Sequence, residues 1–117
     1  MKKIYHLSTC STCKRILKEV NADGSFDLQD IKSEPLNPEQ LDDMAAKAGS
    51  YEALFSRRSR QYAAMGLKDK VLTEADYRKL ILQEYTFLKR PVVCIGDQVF
   101  AGSEKKTVAE VLRILQK

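Results

Sequence analysis

The chain opens on a short apolar run. Ile4, Tyr5 and Leu7 within 3–7 fit a strand that ends just before two cysteines. From Ser11 to Val20 the period changes: Cys13, Ile16, Leu17 and Val20 recur at i, i+3, i+4 and i+7, while Lys14, Arg15 and Lys18 take the opposite face. That spacing predicts an amphipathic helix. Asn21-Ala22-Asp23-Gly24, residues that tolerate positive φ, stops it. Phe26, Leu28 and Ile31 then suggest a second strand. Strand, helix and strand within about 28 residues make a βαβ unit, whose crossover should be right-handed.

The middle of the chain is helical. In Asn37-Pro38-Glu39-Gln40, Asn caps, Pro takes the first helical position and Gln stands three residues past the cap. Leu41, Met44, Ala45 and Ala48 line one face, and Gly49 ends the helix. A short helix is predicted over 51–55, and another from a Thr73 cap carries Tyr77, Leu80 and Ile81. The methionines and aromatics here read as core. In the last third, Val92-Val93-Cys94-Ile95 and Gln98-Val99-Phe100-Ala101 flank Gly96-Asp97, a two-residue hairpin signal. Ser103 is the expected cap of a final helix with Val108, Val111, Leu112 and Leu115 on one stripe. The predicted fold is α/β: βαβ, a helical insert over about 36–90, a β-hairpin and a helix, built on one mixed sheet.

A length of 117 residues suits one compact domain, so the expectation is a single domain over 1–117. No apolar run approaches the roughly 20 residues of a membrane helix, and His6, Ser8 and Thr9 interrupt any signal-peptide stretch after Lys2 and Lys3. Three cysteines form no multi-disulfide framework. The chain therefore reads as cytoplasmic, where a close cysteine pair is more often catalytic, redox-sensing or metal-binding than structural. The net charge of +4 is mild, and no direct sequence-specific contact with nucleic acid is expected. Locally, Arg57-Arg58-Ser59-Arg60 is a dense basic knot. It is either a solvated face or a site for an anion or an acidic partner.

Cys10 falls at the junction of the first strand and first helix. Unpaired N–H groups and the helix dipole stabilise a thiolate there, and Lys14 and Arg15 act in the same direction. Cys13, one turn on, belongs to the buried stripe, close enough to close a disulfide with Cys10. The pair is then asymmetric, an exposed attacking thiol beside a shielded resolving one. Other readings compete with this one. A structural zinc site needs four ligands, and the chain offers one Cys-x-x-Cys, a solitary His6 and a solitary Cys94, so no metal is expected. A cysteine phosphatase would place arginine six positions after its nucleophile, where Ile16 stands. Two buried cysteines that merely lie close remain the plain alternative, and Cys94 is read as a residue of that kind.

Five stretches in order resemble one family: "YHLSTCSTCKR" (5–15), "SEPLNPEQL" (33–41), "SRRSRQY" (56–62), "LKRPVV" (88–93) and "FAG" (100–102). The resemblance is to the thioredoxin-like arsenate reductases that use glutathione and glutaredoxin, and to their relatives the Spx regulators. It covers nearly the whole chain. It implies a thioredoxin-like fold, with Pro91 as the cis-proline facing the active cysteine. In the reductase branch it makes Cys10 the nucleophile on arsenate and Arg90 an oxyanion ligand, with Arg57, Arg58 and Arg60 near a second arginine position, though out of register. A third arginine expected after the last strand is replaced by Ala101-Gly102-Ser103. In the Spx branch, Cys10 and Cys13 sense oxidation and a glycine of the insert, close to Gly49, contacts the α subunit of RNA polymerase.

Together these readings point to a thiol–disulfide oxidoreductase of this family, monomeric, with Cys10, Cys13 and Arg90 in catalytic roles. No cofactor is expected to be bound. Glutathione, glutaredoxin or thioredoxin is the expected electron donor. The alternatives are a redox-sensing regulator of RNA polymerase and a glutathione-dependent arsenate reductase with weakened oxyanion binding.

Overall fold

A computed structural model of the chain describes residues 2–116. In chain order the elements are β1 (Lys2–His6), α1 (Ser11–Val20), β2 (Asp27–Asp30), α2 (Pro38–Ala48), α3 (Arg60–Ala64), α4 (Glu74–Gln83), β3 (Val92–Ile95), β4 (Gln98–Ala101) and α5 (Lys105–Leu115). Single 3-10 turns cover Glu52–Leu54, Leu67–Asp69 and Tyr85–Phe87. Two compact units emerge: Met1–Pro35 with Arg90–Lys117, and Leu36–Lys89.

The first unit holds the sheet, in the order β2-β1-β3-β4. Helix α1 carries the chain back across the sheet, so β2 runs parallel to β1, with Ile4 opposite Leu28. The Gly96-Asp97 connection reverses the chain at once, and β3 and β4 pair antiparallel, Val93 opposite Phe100. Gly96 sits at φ 57°, where a side chain would be strained. β3 pairs antiparallel with β1, completing a mixed, thioredoxin-like sheet. Ile4 and Val93 of the sheet, Ile16 and Val20 of α1, Phe26, and Val111 of α5 share one buried cluster. The helical periods read from the sequence are the faces that bury here.

Local differences from the sequence reading have simple causes. β1 ends at His6 because Leu7 begins a turn, closed by the Cys10 N–H donating to the Leu7 carbonyl at 3.0 Å. Phe26 precedes β2, its N–H bound to Asn21 Oδ1 at 3.0 Å. Within β2, Leu28 is 44 % exposed and Gln29 is buried, its amide donating to the Glu34 carbonyl at 3.0 Å. The expected Ser103 cap is one residue early. The chain leaves β4 through Gly102 at φ 106°, Val108 N–H closes the first helical turn onto Glu104, and Glu104 takes the cap position without a side-chain bond.

The second unit is helical. Asn37 and Gln40 form a reciprocal capping box at the start of α2, and Gly49 closes that helix in the left-handed region. Thr73 and Asp76 do the same at the start of α4. The helix expected over 51–55 shrinks to the turn Glu52–Leu54. α3 has no apolar period, because none of its residues is buried; it starts on the Ser59 cap inside the basic knot. Phe55, fully buried, stacks on Phe87 at 5.1 Å and meets Tyr77 at 4.9 Å. Main-chain bonds from Ser56 to Phe87 and from Lys89 to Leu54 hold the two segments together. Among the described residues, no helix is long and apolar enough to cross a membrane.

These environments set the expected cost of two substitutions. Phe55→Ala should destabilise by about 3–5 kcal/mol, through lost burial and the cavity left behind. Asn37→Ala should cost about 0.5–2 kcal/mol, the usual worth of a helix cap. Urea unfolding followed by circular dichroism measures both, and a smaller cost at Phe55 than at Asn37 would contradict the packing described.

Candidate active site

The cysteines owe their contrast to where α1 begins. The turn from Leu7 to Cys10 brings the chain off the end of β1. Cys10 then takes the N-cap position with extended backbone, φ −92° and ψ 114°, and its carbonyl accepts the Lys14 N–H at 3.1 Å. Its side chain is partly exposed. Cys13, one helical turn later, has no exposed surface at all. Neither is in a disulfide, nor is Cys94, buried in β3.

Partial burial would raise the Cys10 thiol, but other influences outweigh it. The Cys13 N–H, the Cys13 thiol, the Thr12 N–H and the positive charge of Arg90 all favour the anion, and the pKa lies below the ordinary thiol value. At Cys13 burial dominates. The Leu7 N–H and Arg90 favour its anion, but donating to Cys10 and facing the Cys10 charge oppose it, and the thiol is pushed up to about 11. The two sulfurs thus share one hydrogen bond, which favours the anion on Cys10 and the proton on Cys13. This is the arrangement an attacking and a resolving thiol require.

Arg90 and Pro91 enter the same unit at the start of β3. The Arg90–Pro91 peptide bond is cis. The Pro91 carbonyl accepts the Gly102 N–H at 3.0 Å, and the next residue, Val92, pairs with Tyr5 of β1 and Ala101 of β4. The arginine is thereby fixed by the sheet, and its charge reaches both sulfurs. Cys10, Cys13 and Arg90 are therefore brought together.

The basic knot belongs to the helical unit. Arg57 is engaged there: its guanidinium donates to Glu52 Oε2 at 2.8 Å and to the Tyr77 hydroxyl at 3.1 Å, and lies over the Phe55 and Tyr77 rings. Arg58 and Arg60 are exposed, and neither forms an ion pair with a described carboxylate. His6 ends β1, its carbonyl taking the Ile31 N–H at 2.9 Å, and its Nδ1 is buried without a hydrogen-bond partner. No group of three or more potential metal ligands occurs among the described residues. The Leu7 N–H, which bears on Cys13, had no sequence signal, since any residue supplies a main-chain amide.

Removing the Arg90 charge should raise the pKa of both cysteines, because it favours both anions. Arg90→Ala should therefore slow alkylation of Cys10 at neutral pH. Cys10→Ser should lower Cys13 from about 11, since the opposing thiolate disappears while burial remains. Iodoacetamide labelling across pH, read by mass spectrometry, checks both; a Cys13 midpoint unmoved by Cys10→Ser would contradict the coupling.

Comparison with known proteins adds the family. No curated protein matches the chain. Among solved structures, an arsenate reductase from Vibrio cholerae superposes with a TM-score of 0.79 at 20% identity, covering 95% of this chain and 97% of its own. A Yersinia pestis protein, provisionally named an arsenate reductase, gives 0.77 at 18% identity with both chains fully covered. An arsenate reductase related protein from Brucella melitensis gives 0.71 at 23%, over 93% of this chain and 92% of its own. At these identities the likeness establishes the fold. The ArsC family model matches residues 5–111, spanning the cysteines, the insert, Arg90 and most of α5. The chain belongs to the ArsC family.

Proposed function

We propose that this ArsC-family chain is a cytoplasmic thiol–disulfide oxidoreductase in which Cys10 attacks and Cys13 resolves. The observation that carries this reading is the opposed displacement of the two thiols, Cys10 down and Cys13 up, across a shared hydrogen bond. The Cys10 thiolate attacks one sulfur of a substrate disulfide, forming a mixed disulfide and expelling the other sulfur as a thiolate. The negative charge on Cys10 is then gone, and with it part of what held Cys13 protonated. Cys13 loses its proton and attacks the Cys10 sulfur; the second substrate thiolate leaves and the Cys10–Cys13 disulfide remains. Two electrons have passed to the substrate. A donor thiol of the glutathione, glutaredoxin or thioredoxin class returns them by the reverse exchange.

Arsenate reduction at Cys10 is the second reading, favoured by Arg90, whose charge acts on the nucleophile. It is the weaker one. Arginine clamps hold oxyanions by charge and paired donors together. Arg57 is committed to Glu52 and Tyr77, and the segment after β4 is Ala101-Gly102-Ser103. A regulator that docks on RNA polymerase through Gly49 draws support from that residue's exposure and from open space where a side chain would stand. Because Gly49 has φ 102°, any replacement also strains the end of α2, so a binding defect there needs a stability control.

Cys13→Ser should trap Cys10 in a mixed disulfide with an aromatic disulfide probe, and Cys10→Ser should trap none. Glutathione-dependent arsenate turnover should be slow in the parent, weakened on the order of tenfold to a hundredfold by the missing charge-assisted contact. Fast arsenate turnover that persists in Cys13→Ser would instead identify a reductase that works with one cysteine.

A further inference from the structure

Asp30, the last residue of β2, gathers donors from two segments. Its Oδ1 accepts the Ser8 N–H at 3.3 Å and the Lys32 N–H at 3.2 Å, and its Oδ2 accepts the Ser33 hydroxyl at 3.3 Å. The Ser8 hydroxyl is the largest influence holding the carboxyl ionised, against partial desolvation, with a pKa of about 2. Ser8 is the second residue of the turn whose ends are Leu7 and Cys10. Those ends carry the chemistry: Cys10 caps α1, and the Leu7 N–H bears on Cys13. The neighbouring main-chain bond from Ile31 to the His6 carbonyl, at 2.9 Å, ties the same two segments where the strands end.

We infer that Asp30 is a positioning residue for the cysteine pair: by holding Ser8 it fixes the turn that delivers Cys10 to the start of α1 and the Leu7 N–H to Cys13. The inference rests on the reading of Cys10 and Cys13 as the working thiols. Geometry and charge predict opposite consequences here. A carboxylate near a thiol disfavours its anion by charge alone. If Asp30 acted only through its field, removing its charge would make Cys10 more acidic. If it acts by holding the turn, removing its acceptors frees Cys10 from the aligned amides that favour the thiolate, and the pKa rises.

Three variants of the full chain separate these cases. Asp30→Asn keeps an oxygen for the Ser8 and Lys32 amides, and its NH2 can donate to the Ser33 hydroxyl. Asp30→Glu keeps the charge but displaces the oxygens by one methylene. Asp30→Ala removes both. The measurement is the Cys10 pKa and its iodoacetamide rate at neutral pH, beside a thermal melt. The expected result is slower labelling by about threefold or more in the Ala and Glu variants, with Asn within about twofold of the parent. The inference is overturned if Asn labels faster than the parent while Glu matches it, which is the signature of charge. It is equally overturned if every variant keeps the parent pKa and loses only melting temperature. Should Asp30→Ala fail to fold, the Asn and Glu pair decides by itself. Labelling needs no turnover, so failure of the oxidoreductase reading would show separately, as no mixed disulfide trapped in Cys13→Ser.

Discussion

Everything chemical in this chain depends on the register of α1 against the end of β1. A helix that begins at Ser11 puts Cys10 on the cap, among main-chain amides without helical partners, and carries Cys13 one turn inward onto the stripe with Ile16 and Val20. Started one residue later, the same Cys-x-x-Cys would place neither thiol in its present environment. The register is fixed from several sides: the Leu7–Cys10 turn, the burial of Ile16 and Val20 against Ile4, and the contacts of Ser8 with Asp30.

The mixed sheet supplies the third member of the site. Because β3 lies antiparallel beside β1, the residues entering β3 come to the same end of the sheet from which the cysteine turn departs. Arg90 and the cis Pro91 are those residues. Arg90 stands two residues before Val92, whose pairing with Tyr5 and Ala101 anchors the start of β3, and one cation bears on two sulfurs. It lowers both pKa values, so the difference between the thiols comes from burial, from their shared hydrogen bond and from the main-chain amides that each one meets.

Legibility followed the strength of local signals. α1 was readable because four apolar positions repeat at helical spacing, and α2 and α4 because their capping residues stand at the required offsets. The Gly96-Asp97 hairpin was readable for the same reason. α3 was not, since a five-residue helix with no buried face leaves no period to find. β2 was readable as a strand, but the pattern of Phe26, Leu28 and Ile31 hid that Phe26 and Ile31 flank it and that Gln29 is its buried residue. At the site, Cys10, Cys13 and Arg90 carried both a chemical signal and a family resemblance. The knot that includes Arg57 read from charge density as either a solvated face or an anion site; the engagement of Arg57 with Glu52 and Tyr77 depends on partners 5 and 20 residues away. Asp30 and the Leu7 amide act through backbone geometry, which composition and periodicity do not encode.

The chemistry of the pair turns on one thiol giving up its proton well before the other. A 13C NMR titration of the reduced chain, labelled at the cysteine Cβ atoms, reads each thiol separately. Cys10 is expected to titrate first, below the ordinary thiol value, and Cys13 later, near 11. Two cysteines titrating together, or Cys13 titrating before Cys10, would contradict it.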